Sequence, residues 1–352
     1  MREPRTRTQM NYFDSKTKIL SARTLVAFLV VVVSCLTFSS LKADVIVQVS
    51  GKRLENVTIT KATWDQVLFK QGTNTVALKG DQIVSLQRES AYLQPVRSAI
   101  SSANYSKALA SISKLEARGL KGWQAAELQY LKGKAHLGAG EAGKADVVFQ
   151  EFAVANKESK DYWLPHAMYG RGQASLDLGR GNSARTHFQG LAPFGPTWVL
   201  RAKLGEAQGL FLAKKYVEAR SKFNEVANNR KTPPSLKVAA VVGRIDVIVS
   251  QKQYDTAVSE LEKNFFSGSA GQGLDYGKSR ARATYLMGVC HKEIPGKPNL
   301  EKAEIWLLKA AVLYRHHKDI YRNSCGKLAE VYKQLGRADR ATEWGRRAEG
   351  KS

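Results

Sequence analysis

The sequence predicts a mostly α-helical protein: an array of paired antiparallel helices preceded by a small antiparallel β-barrel-like module. Three observations predict it. A small residue followed one helical turn later by an apolar one recurs from about residue 91 onward. β-branched residues alternate at period two over residues 44–87, and residues 1–43 have the make-up of an export leader. The boundaries that follow are 1–43 for the leader, 44–90 for the β module and 91–349 for about seven helical repeats.

The leader comes first. A basic, polar stretch ends at Arg23, an apolar run spans residues 24–38, and residues 39–43 supply small side chains at a cleavage point. That order is the anatomy of a secretory signal peptide, with cleavage expected after Ala43. Two alternatives stay open. Residues 24–41 barely reach spanning length for an uncleaved anchor, and Val32-Val33-Ser34-Cys35 resembles a lipobox that would lipidate Cys35. All three place the folded part outside the cytoplasm, as a periplasmic, cell-envelope or secreted protein. Membrane association is expected only through this N-terminal segment.

The 352 residues include 55 Lys and Arg against 31 Asp and Glu, a net charge of +24, of which the leader supplies only +5. A field of that size attracts anionic partners at long range without choosing among them. With 43% hydrophobic residues and nine prolines, wholesale disorder is excluded. Cys290 and Cys325 lie in the body of the chain, either as one disulfide of an oxidising compartment or as two buried core thiols.

The β module is read from five short runs. Val45 to Val49, Leu54 to Thr60, Val67 with Phe69, Val76 with Leu78, and Ile83 to Leu86 alternate between turns marked by Gly51, Gly72, Asn74 and Gly80. Four or five antiparallel strands of this size hide their edges by rolling up, similar to compact Sm-like or Src-homology-like barrels. Trp64 is then a core or barrel-end plug, with a surface binding aromatic as the alternative.

The helical repeats carry the main argument. Their small and apolar pairs are Ala108/Ile112, Ala145/Phe149, Ala184/Phe188, Ala219/Phe223, Ala257/Leu261 and Ala303/Leu307, with a weaker last unit at Ala341 where Gly345 and Trp344 share the apolar slot. Two antiparallel helices approach closely only where one presents a small side chain, and the apolar residue one turn later fills the space beside the contact. Twelve residues upstream, Gly133, Gly172, Ala207 and Ala329 offer a second small residue, whereas Gly288 stands fifteen before Ala303 and implies an insertion over residues 293–299.

This pattern resembles the tetratricopeptide repeat, whose unit of about 34 residues has small residues at both crossing points. Tyr105, Tyr216 and Tyr254 match the family's tyrosine before the second helix, and Pro196 its closing proline. The resemblance implies a right-handed superhelix whose first helices line a concave groove. It places Tyr130, Lys134, His166, Tyr169, Gln173, Arg201, Gln208, Asp246, Arg282 and Tyr285 on that groove. Aromatic, amide and cationic side chains suit an extended, acidic protein segment. The lysine–asparagine clamp of chaperone-binding members is not reproduced, so chaperone-tail binding is not carried over.

Enzymatic motifs fail on context. Gly138, Gly140, Gly143 and Lys144 imitate a phosphate loop, but the preceding residues are helical in pattern and Ala145 stands where a magnesium-binding hydroxyl belongs. No histidine pair has metalloprotease spacing with a glutamate, and surface positions are expected for most of the six. The sequence thus points to a non-enzymatic scaffold or adaptor with no cofactor and no metal. Binding of an anionic polymer, polysaccharide or nucleic acid, through the basic surface is the alternative.

Overall fold

Strands form where the period-two pattern runs: β1 (Asp44–Gln48), β2 (Arg53–Ala62), β3 (Gln66–Gln71), β4 (Asn74–Lys79) and β5 (Ile83–Gln87). They make one antiparallel sheet in the order β4-β3-β2-β1-β5. In β2, residues 53–57 pair with β1 and residues 58–62 with β3, and the register shifts between Ile59 and Lys61. The sheet is not closed into the expected barrel, since β4 and β5 do not pair. Its apolar face is covered in another way. Ile46, Val57, Val67, Phe69 and Ile83 pack against Tyr162, which comes from the helical array, with Trp163 beside it. Cover from outside removes the need for closure.

The computed structural model describes residues 44–267 and 277–350. The leader with Cys35, and part of the stretched linker expected over residues 265–273, lie outside the described residues.

Fourteen α-helices follow the sheet among the described residues, in seven antiparallel pairs. The pairs are α1 (Gln94–Ser101) with α2 (Tyr105–Ala117), α3 (Gly122–Gly138) with α4 (Ala142–Ala155), and α5 (Leu164–Asp177) with α6 (Gly181–Gln189). Then come α7 (Pro196–Leu212) with α8 (Tyr216–Asn228), α9 (Pro234–Ser250) with α10 (Tyr254–Leu261), α11 (Gly277–Glu293) with α12 (Lys297–Leu313), and α13 (Lys318–Gln334) with α14 (Ala338–Ala348). Tyr105, Tyr216 and Tyr254 open second helices, whereas Pro196 opens α7, where a ring that fixes φ suits a helix start.

The register read from the sequence describes the core. Ala108, Ala145, Ala184, Ala219, Ala257 and Ala303 are all fully buried, as are Phe188, Leu261 and Leu307 at the apolar slot. Phe149 and Phe188 each seat between two first helices. A Cβ added at Gly133 on α3 or at Gly170 on α5 would lie 2.4 or 2.5 Å from the Phe149 ring, and Gly172 and Gly205 meet Phe188 in the same way. The upstream glycines were legible; Gly170, Gly205 and Gly243, on the following first helix, complete the socket. In the last pair Trp344 takes the buried position. Cys290 and Cys325 are free and buried, which decides between the two readings in favour of core thiols.

The turn inside six of the seven pairs repeats as well. Ala103, Gly140, Gly179, Lys214, Lys252 and Gly336, each five residues before the crossing alanine, have φ between 54° and 82°. The next amide closes the turn onto the first helix, as in Glu141 N–H to His136 O at 2.9 Å and Lys215 N–H to Leu210 O at 2.9 Å. Left-handed backbone favours glycine, so Ala103, Lys214 and Lys252 carry strain. Lys214→Gly and Lys252→Gly are each expected to stabilise the protein by about 0.5–1 kcal/mol. Urea-unfolding midpoints check this, and unchanged midpoints would mean the turns bear no strain.

The sheet is clasped to the array. Asp81 Oδ2 accepts the Thr197 N–H at 3.2 Å and so caps α7 from 116 residues away in sequence. Gly195 makes room, since a Cβ there would come within 2.9 Å of the same oxygen. Trp64, neither core plug nor free surface aromatic, lies half-buried with its ring edge-on to Phe194 at 5.1 Å. Thr63 bridges to Asp161 through the backbone, and Lys160 Nζ meets Asp65 at 2.8 Å.

Candidate partner-binding groove

Successive first helices pack on one another along the array, from α1 against α3 to α11 against α13, whereas second helices do not contact each other comparably. A layer in close contact lies on the inner side of a curve and the spread layer outside. The first helices therefore line the concave face, where sequence placed the binding residues.

That face holds a cavity of about 350 Å³ shared by α5, α7, α9 and α11. It brings together Tyr169, Gln173, Gln208, Asp246 and Arg282 from the expected set. Leu204, Phe211, Leu236 and Val242 give it apolar walls that sequence reasoning did not assign. Lys278, one turn before Arg282 on α11, was also missed, although it has the period of a groove position. Gln208 Oε1 is buried here and has no hydrogen-bond donor among the described residues.

Arg282 is not the open cation that sequence suggested. Its Nη2 meets Asp246 Oδ1 at 2.6 Å, and Nε lies 3.2 and 3.1 Å from the two carboxylate oxygens. Burial opposes its charge, but the Asp246 carboxylate raises its pKa above the ordinary arginine value. Tyr285 packs beneath, 5.0 Å from the guanidinium.

Tyr130, Lys134 and Arg201 lie toward the N-terminal end of the array. Tyr130 stacks on Trp163 with ring centroids 4.4 Å apart, Lys134 Nζ is 5.8 Å from the Tyr130 ring, and Arg201 is 4.6 Å from that of Trp198. Neither Lys134 nor Arg201 has a carboxylate partner among the described residues. His166 corrects the expectation of a groove-facing histidine. It is buried among Tyr130, Tyr162, Trp163 and Trp198, with Nδ1 3.2 Å from the Tyr162 carbonyl and Nε2 unpartnered. Burial, reinforced by Arg201, pushes its pKa down to about 3. His291 is buried too, so surface residence fails for two of the histidines.

The glycine cluster at residues 138–143 lies between α3 and α4, a helix-to-helix turn with no strand before it, and Lys144 pairs with Glu141 at 2.8 Å. It borders a cleft of about 920 Å³ that faces Lys278 and the start of α13.

No protein-family model matches the sequence, and no curated protein is detectably similar to it. Among solved structures, a tetratricopeptide repeat protein from Parabacteroides merdae superposes with a TM-score of 0.51 at 18% identity, covering 66% of this chain and 82% of that one. The apo form of RapI gives 0.45 at 12% identity, covering 74% of this chain and 76% of its own. BtubC from P. vanneervenii gives 0.30 at 14% identity, covering 74% and 91%. The first of these shows the fold of the helical array, which is tetratricopeptide-like.

Proposed function

We propose that this chain is a non-enzymatic scaffold of the cell envelope, exported by its leader, that holds an extended segment of a protein partner along its first helices. The cavity around Gln208 carries the reading. It offers apolar walls for one side chain, an unsatisfied amide oxygen for a backbone N–H, and Gln173 and Tyr169 for further polar contacts. Lys134 and Arg201 supply the attraction for acidic groups, because the charge of Arg282 is already met by Asp246.

The test reverses Lys134 and Arg201 together. Partner capture from an envelope extract by Lys134→Glu/Arg201→Glu is expected to weaken about tenfold or more relative to the parent. Lys114→Glu/Lys302→Glu, on exposed second-helix positions with the same change in charge, is expected to capture as the parent does. Equal loss in both would mean the partner is held by diffuse charge. The anionic-polymer reading would then replace this one, and capture would collapse as salt rises.

A further inference from the structure

The open sheet leaves β4 as an edge with a strand on one side only. Gln71 and Asn74 face each other across a two-residue turn, with Gly72 at a φ of 60°, so residues 74, 76 and 78 exchange hydrogen bonds with β3. The N–H and C=O groups of Thr75 and Ala77 then point outward, and nothing among the described residues bonds to them. The inner side of this edge is unfinished as well. Val76 and Leu78 pack against the sheet's core but stay half-buried, whereas Val67 and Phe69 opposite them on β3 are fully buried. The outer side is cationic. Lys61, Lys70 and Lys79, paired in register with Leu68, Thr75 and Gln66, stand exposed there without an ion pair among the described residues. Residues 56–79 hold a single acidic side chain, Asp65, and Lys160 already takes it at 2.8 Å.

We propose that β4 takes an added strand from a protein partner, an extended segment in which apolar and acidic residues alternate. The backbone of that segment completes the ladder at Thr75 and Ala77, its apolar side chains cover Val76 and Leu78, and its carboxylates face Lys79, with Lys70 one strand behind. Charge chooses this occupant over a second copy of the chain. Two β4 edges paired together would gather the same lysines with no acid to meet them, which is how an exposed edge repels its own kind. The backbone and the apolar margin choose it over an anionic polymer, which would meet the lysines but leave the outward N–H groups and Val76 and Leu78 as they are. None of these residues lines the cavity on the first helices, so occupancy of one site does not require the other.

Site-resolved hydrogen exchange of the full chain tests it, with a capped peptide of alternating valine and glutamate as the probe. That peptide is expected to slow exchange of the Thr75 and Ala77 amides, and a peptide of alternating valine and lysine is not. Lys70→Gln/Lys79→Gln is expected to weaken the protection about threefold to tenfold in peptide concentration. Ala77→Pro deletes an outward donor, a change that an edge strand tolerates, and is expected to abolish it. If that variant melts below the parent, the lysine double variant, altered only at the surface, still decides. Absence of protection at these two amides, or a double variant that responds as the parent does, would overturn the proposal. So would equal protection by poly-glutamate, which would assign the lysines to an anionic polymer. Slowing of the same amides as protein concentration rises without peptide would also overturn it and assign the edge to a second copy.

Discussion

Lowering the pH from 6.5 to about 5 is expected to remove about 2 kcal/mol of stability through His166 alone. The unfolded chain takes up the imidazole proton near 6.5, but burial holds the folded group neutral down to about 3. Stability is therefore complete above the unfolded value and is lost as pH falls toward the folded one. The geometry gives the reason. Nδ1 donates to the Tyr162 carbonyl, aromatic rings surround the imidazole, and the nearby cations Arg201 and Lys134 disfavour another positive charge. His166→Phe keeps a ring in the site and is expected to flatten the pH dependence of the urea midpoint in this window. His187, His291 and His317 are also depressed by burial, but they remain in both proteins and cancel in the comparison. Parallel pH profiles for parent and variant would falsify the assignment.

The second large effect comes from Arg97 on α1 and Glu127 on α3. Their side chains are 11% and 2% exposed, and the guanidinium forms two hydrogen bonds to the carboxylate at 2.7 and 2.8 Å. Its third nitrogen donates to the Arg88 carbonyl at 2.7 Å, where the chain leaves the sheet. Burial raises the pKa of Glu127 and Arg97 works against that rise. Glu127→Ala leaves a buried guanidinium without its counter-charge and is expected to cost about 3–5 kcal/mol. Arg97→Leu/Glu127→Leu removes both charges and is expected to cost less than either single change. Chemical denaturation of Arg97→Leu, Glu127→Leu and the double variant decides the matter, and additive losses would show that the pair is not coupled.

The spacing of Ala108, Ala145, Ala184, Ala219, Ala257 and Ala303 was enough to find the repeats, because a close helix crossing tolerates only small side chains and so prints itself on the sequence. The groove face followed from the resemblance to the tetratricopeptide repeat, which placed Gln173, Gln208 and Arg282 on it. What the period cannot carry is side-chain pairing across helices. Asp246 and Arg282 were both assigned to the groove, but nothing in 36 residues of separation says that one neutralises the other. His166 fell on the right face, yet its burial depends on Trp163 and Trp198, which come from a loop and from the next first helix. The open sheet was illegible for the same reason: the Tyr162 that covers it lies far along the chain.

Stacked helix pairs, each held mainly by its neighbours, ordinarily fray from whichever end is weaker. Asp81 changes that symmetry. By capping α7 it ties the sheet to the fourth pair, so the first three pairs sit inside a loop that cannot peel away one at a time until the clasp lets go. No hydrogen bond of comparable reach spans the pairs after α7 among the described residues, although Lys278 on α11 acts on Asp177 of α5 through its charge. Unravelling is therefore expected to begin at the α14 end and run inward. The molecule behaves as a spring bound at one end, in which the last pairs can loosen while the sheet and the first four pairs keep their shape.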